Sequence, residues 1–546
     1  MKTDNDRSAR VRVSRVRDER PTRFGVVRPA CLSVPPAGEL AARSTLARAL
    51  RRSTSTGEGL CLPGSGGLGT RTNITTTTTT SSTTTAIAGI VGALMISVML
   101  IPGAAAAATE GSSVARSPVI VRTAQPASRN LSTADRIARL ETATRTNPNA
   151  GEDWRQLGAA YVRRAFETAD PAFYPLAESA LKRAEKHLGS SPEVLGTKAT
   201  LALARHRFKE ARLLAADLVR QRPGELDGRI ALFDADVELG NYERAFNQID
   251  SLVDERPSVA TLSRLSYRRQ LTGDLLGAEI AMRQAASAAP PGSVDRGIAL
   301  AYLGDVLLES GHLAAAGRTY EQSLRTEPTN ATAMLGSARV AMARNDITAA
   351  AIILDRLVDR IPLPGALGLR ADLARASGDQ KTATATDQLV DASVALFEAN
   401  GAVVDAELAI LLADRGSGSS SAALRAARRA YGERRTIFTN DAMAWSLFAS
   451  GRPVEAVPYA RAAVAAEPGV SSVRWHAAEV FAATGDLASA RRELTAAIRN
   501  PWSSPLQTRA LRSLAERLGV TFPAIDQPVP VPVRPLQATT PPTRST

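Results

Sequence analysis

The stretch from Gly311 to Asn345 reads GHLAAAGRTYEQSLRTEPTNATAMLGSARVAMARN, and the chain repeats its plan. Gly451 to Gly485, Pro223 to Pro257 and Pro328 to Pro362 are each 34 residues apart, the same interval as Gly311 to Asn345. Two-residue turns at Gly240-Asn241, Gly273-Asp274, Gly311-His312, Asn345-Asp346, Gly378-Asp379, Gly451-Arg452 and Gly485-Asp486 set the phase. Five residues after each turn's first member stands alanine: Ala245, Ala278, Ala316, Ala350, Ala383, Ala456 and Ala490. Twelve residues after the alanine, proline follows at Pro257, Pro290, Pro328, Pro362 and Pro468, and Ala211 with Pro223 keeps the same spacing.

Each element of the repeat has a mechanical meaning. Gly or Asn tolerates the left-handed conformation that ends a helix, and Asp or Asn beside it can cap the next one. Two antiparallel helices therefore meet through a tight turn. Alanine lets their backbones approach, with leucines at i, i+3 and i+4 filling the seam. Proline closes the second helix and opens the next unit. The spacing predicts an all-α fold. Composition agrees, since 44% of residues are hydrophobic but only 4% aromatic, and alanine suits closely packed helices better than strands.

The pattern resembles tetratricopeptide repeats, whose first helix carries W-x-x-L-G-x-x-Y and whose second carries alanine before a terminal proline. Trp154, Leu157, Gly158 and Tyr161 reproduce the first-helix signature, with Ala177 and Ala184 as second-helix positions after an insertion of about seven residues. Leu303-Gly304 is the next best match. The resemblance covers residues 132–519, about 70% of the chain, and implies a right-handed α-solenoid of roughly ten helix-turn-helix units. Two departures stand out. Arg205 and His206 replace the turn glycine of the second unit, and the closing proline is missing between Ala383 and Gly416, where a long helix should run toward Asn400 and a Gly/Ser loop should span Gly416 to Ser421. From Leu506 to Leu518 a final amphipathic helix, with Leu506, Leu511, Leu514 and Leu518 on one face, is expected to cap the stack.

The flanks differ in kind. Formal charge is +13, yet residues 1–71 hold 14 Lys and Arg against 6 Asp and Glu, so the basicity belongs mostly to the tail. Residues 1–85, rich in Arg, Ser and Thr, bury too little apolar surface to offset ordering entropy and are expected to be disordered. Residues 86–108 are expected to form a transmembrane helix or signal peptide. Ala86 to Ile101 is apolar apart from Ser97, and Ala104 to Ala108 offers a small-residue cleavage region. With 13 arginines before it, the positive-inside rule keeps the N-terminus cytoplasmic and places the array outside. Residues 109–131 are expected to be a linker, and residues 520–546 a Pro-rich disordered tail.

Little in the sequence points to a reaction. The four histidines, His187, His206, His312 and His476, form no H-E-x-x-H, and both cysteines, Cys31 and Cys61, lie in the tail. No metal site, cofactor or catalytic residue is assigned, and no P-loop, dinucleotide fingerprint or nucleophile elbow occurs. Asp305 and Glu309 share a helix face at i, i+4, an arrangement expected on a solvated surface.

What the resemblance implies instead is a concave groove lined by the first helix of each unit. Taking the residue after the small position of each first helix selects Asp234, Tyr267, Asp305, Arg339, Asp372, Trp445 and Glu479, with Phe448 and Trp475 nearby, as a partner-binding stripe for a protein or peptide ligand. There is no repeated Lys/Asn set of the kind chaperone-binding relatives use to clamp a carboxylate. The expectation is a non-catalytic protein-interaction scaffold in an envelope assembly, reaching the membrane through residues 86–108, with bacterial origin suggested by the Ala/Arg-rich composition. The alternatives are a cytosolic or nucleoid-associated adaptor whose tail binds nucleic acid, and an accessory subunit of an exported enzyme. The tail's arginines lack interleaved aromatics, so no specific nucleic acid is expected as partner.

Overall fold

The computed structural model describes residues 132–168, 170–403, 406–499 and 504–523. Among them stand 22 α-helices and one short 3-10 turn, Ser417–Ser419, with no strand. A leading helix α1 (Thr133–Thr146) precedes ten pairs. These are α2 (Gly151–Thr168) with α3 (Phe173–Leu188), α4 (Pro192–Ala204) with α5 (Phe208–Gln221), α6 (Leu226–Glu238) with α7 (Tyr242–Glu255), α8 (Val259–Leu271) with α9 (Leu275–Ala288), and α10 (Val294–Glu309) with α11 (Leu313–Thr326). There follow α12 (Ala331–Ala343) with α13 (Ile347–Arg360), α14 (Pro364–Ala376) with α15 (Gln380–Ala399), α16 (Ala406–Asp414) with α17 (Ser420–Glu433), α18 (Ile437–Ala449) with α19 (Pro453–Val464), and α20 (Ser471–Ala483) with α21 (Leu487–Ala497). Helix α22 (Pro505–Leu518) closes the array.

The unit is built as its spacing predicts. Every recurrent alanine, from Ala211 through Ala245, Ala278, Ala316, Ala350, Ala383 and Ala456 to Ala490, is 0% exposed. Each sits where a larger side chain would push the two helices of a pair apart. The turns take the left-handed conformation, and where glycine is missing Asn345 and His206 adopt it themselves, at φ 60° and 58°. Asp274, Asp346, Asp379 and Asp486 cap the helices that follow, each accepting from a first-turn backbone N–H. Asn241 does not. Its amide donates to Asp236 at 3.0 Å instead, leaving α7 without a side-chain cap.

Second helices bury a single stripe, as α7 does with Ala245, Ile249 and Leu252 and α13 with Ala350, Leu354 and Leu357. First helices are buried almost all round, α18 from Ile437 to Leu447 nearly without interruption. Successive first helices cover one another, and a second layer of contacts reaches far along the chain. Val403 N–H donates to Arg205 O at 3.0 Å, and Arg205 Nη2 donates to Asn400 O at 3.0 Å across 195 residues. Arg434 pairs with Glu238, the amide of Ile437 donates to the Tyr242 hydroxyl at 3.0 Å, and Gly469 N–H donates to Gln270 O at 2.9 Å. The array thus winds back on itself, and units two to four lie against the stretch from the end of unit seven to the start of unit ten. Gly240 marks how close the approach is, since a Cβ there would collide with the carbonyl of Arg435.

Three sequence expectations change. The Gly/Ser segment from Gly416 is no open loop, because Ser417–Ser419 makes a single 3-10 turn and Ser420 already starts α17. Asp305 is buried and Glu309 keeps only 16% of its side chain exposed, rather than forming a solvated face, because the next first helix lays Arg339 over both. In α22, Gln507 takes the buried place expected of Leu506, beside Leu511, Leu514 and Leu518. That shift follows its surroundings, for α22 packs on α14 as well as on α20 and α21.

Residues 1–85, 86–108 and 109–131, and the Pro-rich segment beyond Pro523, lie outside the described residues. Among the described residues no helix is long and apolar enough to cross a membrane.

Candidate functional site

The stripe selected along the first helices forms three clusters. In the first, Asp234 on α6 meets Arg264 on α8 through two parallel hydrogen bonds, Nε to Oδ1 at 3.0 Å and Nη2 to Oδ2 at 2.7 Å. Burial raises the Asp234 carboxyl above its usual range, and the Arg264 charge pulls the other way. Tyr267, one turn further along α8, is only half-buried. Arg264 itself was not selected from the sequence, because it sits one turn before the chosen position of its unit.

The second cluster joins α10, α11 and α12. The Tyr320 hydroxyl donates to Asp305 Oδ1 at 2.6 Å, while Arg339 lies 3.9 Å from Asp305 and 3.7 Å from Glu309. Burial pushes the Asp305 carboxyl up to about 6 and Glu309 up to about 7, with Arg339 opposing in both cases. Tyr320 fits because the facing positions are Gly304 and Gly336, where a Cβ would fall onto its ring. In the next unit, Asp372 is buried beside Arg375, at 3.2 Å, and the Ser504 hydroxyl at the start of α22. Burial raises its carboxyl to about 7 against the pull of Arg375.

The third cluster is aromatic. Trp445 stacks on Phe448 at 5.2 Å between ring centroids and on His476 at 4.1 Å, and Trp475 tilts against it at 5.2 Å. Its indole Nε1 donates to Asp414 Oδ1 at 2.7 Å. Glu479, one turn beyond Trp475, accepts from Arg517 of α22 at 3.0 Å. Its carboxyl is raised by burial despite that partner. Phe448 alone of this group is half-exposed.

The structure therefore brings the selected residues together between neighbouring first helices, where most of their surface is covered by the array itself. Of the nine, Tyr267 and Phe448 retain the most access. Asp414, Asp441 and His476, which hold the aromatic cluster in place, carry no repeat signal and were not singled out. His476 Nδ1 lies 2.9 Å from Asp441 Oδ1, and its buried Nε2 makes no hydrogen bond among the described residues. No group of three or more His, Cys, Asp or Glu able to hold a metal ion occurs among the described residues.

A family model described as tetratricopeptide repeat matches residues 307–373, and a second of the same description matches residues 442–505. A search of curated proteins finds no match. Among solved structures, the yeast Tom70 crystal structure is similar at 12% identity over 71% of this chain and 92% of that one, with a TM-score of 0.31. A tetratricopeptide repeat protein from Parabacteroides merdae is similar at 18% identity over 50% of this chain and 98% of that one, with a TM-score of 0.29. The two family matches fall on α10 to α14 and on α18 to the start of α22, inside an array that keeps one unit from Gly151 to Ala497. Residues 307–373 and 442–505 of this chain are thus matched as tetratricopeptide repeats.

Proposed function

We propose that the array is a protein-interaction scaffold without catalysis of its own, and that a peptide segment of its partner docks on the first-helix face beside Phe448 and Tyr267. The observation supporting this is the third cluster, where a half-exposed Phe448 lies on the fixed ring of Trp445. An aromatic surface whose orientation is already set costs little entropy to bind. Asp234, Asp305, Arg339, Asp372, Trp475 and Glu479 then act as the wall that positions it. Residues 86–108 anchor or export the array, which assembles with its partner in a cell envelope.

Photo-crosslinking amino acids placed singly at Phe448, Tyr267 and Leu213 test the site, Leu213 being 65% exposed on α5 away from this face. Crosslinks from Phe448 and Tyr267 to one shared species, absent from Leu213, are the expected result. Equal yields from all three positions refute docking on the first-helix face. Membrane pellets washed with alkaline carbonate test the anchor, and release of the full chain by salt alone refutes it.

A further inference from the structure

We propose that the outer side of the array carries a second binding site, between α9 and α11, that takes an acidic peptide segment with an apolar residue at its centre. The site is a cavity of about 400 Å³ whose rim holds three guanidinium groups, Arg283, Arg296 and Arg318, above a floor of Leu300, Leu303 and Ala315. No carboxylate lines it among the described residues. Arg296, Leu300 and Leu303 fall at i, i+4 and i+7 on α10, one face of that helix. Asp305 stands two residues past Leu303, about 200° round the same helix, so this site faces away from the stripe described above.

The charges around the cavity set what it accepts. Arg283 shares its charge with Glu279 at 2.8 Å, and Glu279 also faces His312 at 3.5 Å. Asp295, beside Arg296 in sequence, lies 4.0 Å from Arg163 instead. Arg296 gives one long hydrogen bond to the Ala289 carbonyl, 3.4 Å, and among the described residues neither Arg296 nor Arg318 meets a carboxylate. Two cations are therefore left for a ligand. Glu279 on α9 and His312 at the start of α11 meet beside the cavity.

An exposed apolar stripe on α9 beside the cavity selects a peptide over a compact anion. Leu276 and Ile280 precede Arg283 at i, i+4 and i+7 on α9, and they are 51% and 47% exposed. From Leu276 to Arg283 the stripe runs roughly 10 Å at 1.5 Å per residue. An extended segment can cover it, setting one apolar side chain into the cavity and carboxylates on Arg296 and Arg318. Bidentate pairing suits guanidinium to carboxylate geometry.

A fluorescein-labelled peptide of about a dozen residues, with one leucine between two pairs of glutamates, is the probe, read by fluorescence anisotropy on the full chain. Binding that weakens about tenfold or more in Arg318→Glu, weakens with added salt and is lost when the glutamates become glutamines is expected. Arg318 is exposed, so this variant leaves the fold intact, and Arg296→Gln, checked by circular dichroism, gives a second reading. Leu213→Ser should leave binding unchanged. Equal binding of the glutamine peptide, or full retention in Arg318→Glu, overturns the proposal. So does a chain that binds inorganic phosphate at this cavity while ignoring the peptide.

Discussion

Arg264 holds both carboxylate oxygens of Asp234, at 3.0 and 2.7 Å, from the neighbouring first helix, and both side chains are buried. Such a pair breaks asymmetrically, because removing one partner strands the other in a poor solvent for charge. Asp234→Ala should cost about 3–5 kcal/mol in urea unfolding. Replacing both together, as Asp234→Leu with Arg264→Met, should recover most of that loss. A single variant within about 1 kcal/mol of the parent would show the pair to be solvated.

Three carboxyls should make the array more stable in mild acid than at neutrality. Asp305, Glu309 and Asp372 are pushed by burial to about 6, 7 and 7, whereas unfolded carboxyls titrate near ~4. Between those values the native state keeps protons that the unfolded state has released. Their stabilisation is therefore full below about pH 4 and lost as pH rises to about 7. The urea midpoint should fall from pH 5 to pH 7.5, at no more than about 1.4 kcal/mol per pH unit for each group. Asp372→Asn, which mimics the protonated form, should flatten part of that slope. Identical pH profiles for variant and parent would remove Asp372 from the account.

Gly336→Ala should destabilise by about 1–3 kcal/mol, since the added methyl meets the Tyr320 ring from a helix that cannot retreat. Combining it with Tyr320→Leu should cost less than the sum of the two changes. Strict additivity in thermal unfolding would mean that the ring and the methyl never meet.

Tyr242→Phe removes the acceptor of the Ile437 amide, which lies 195 residues further along the chain. Hydrogen exchange at Ile437 should quicken by roughly tenfold, with α13 unaffected. Unchanged exchange at that amide would contradict the contact.

How far the sequence could be read follows from the range of each interaction. The turns, the buried alanines and the ten pairs depend on residues within one unit, so a fixed spacing reveals them. Even His206, which breaks the turn pattern, keeps the turn by taking the left-handed conformation at some strain. The stripe was legible as a set of positions, but not in its degree of burial. Arg434 against Glu238 and Gly469 against Gln270 unite residues that no period links. Those meetings depend on how steeply the superhelix winds, a sum of small rotations that individual units do not display. The pairing of Asp441 with His476 is illegible for a similar reason, since it bridges α18 and α20 only once.

The long-range seam changes how damage spreads. In an open solenoid a lesion is felt by adjoining modules and fades with distance. Here a defect near Glu238 also loosens the helices around Arg434, so modules remote in order share one fate. Melting should accordingly resemble the collapse of a single body, and truncation from either end should injure the middle before it shortens the edge.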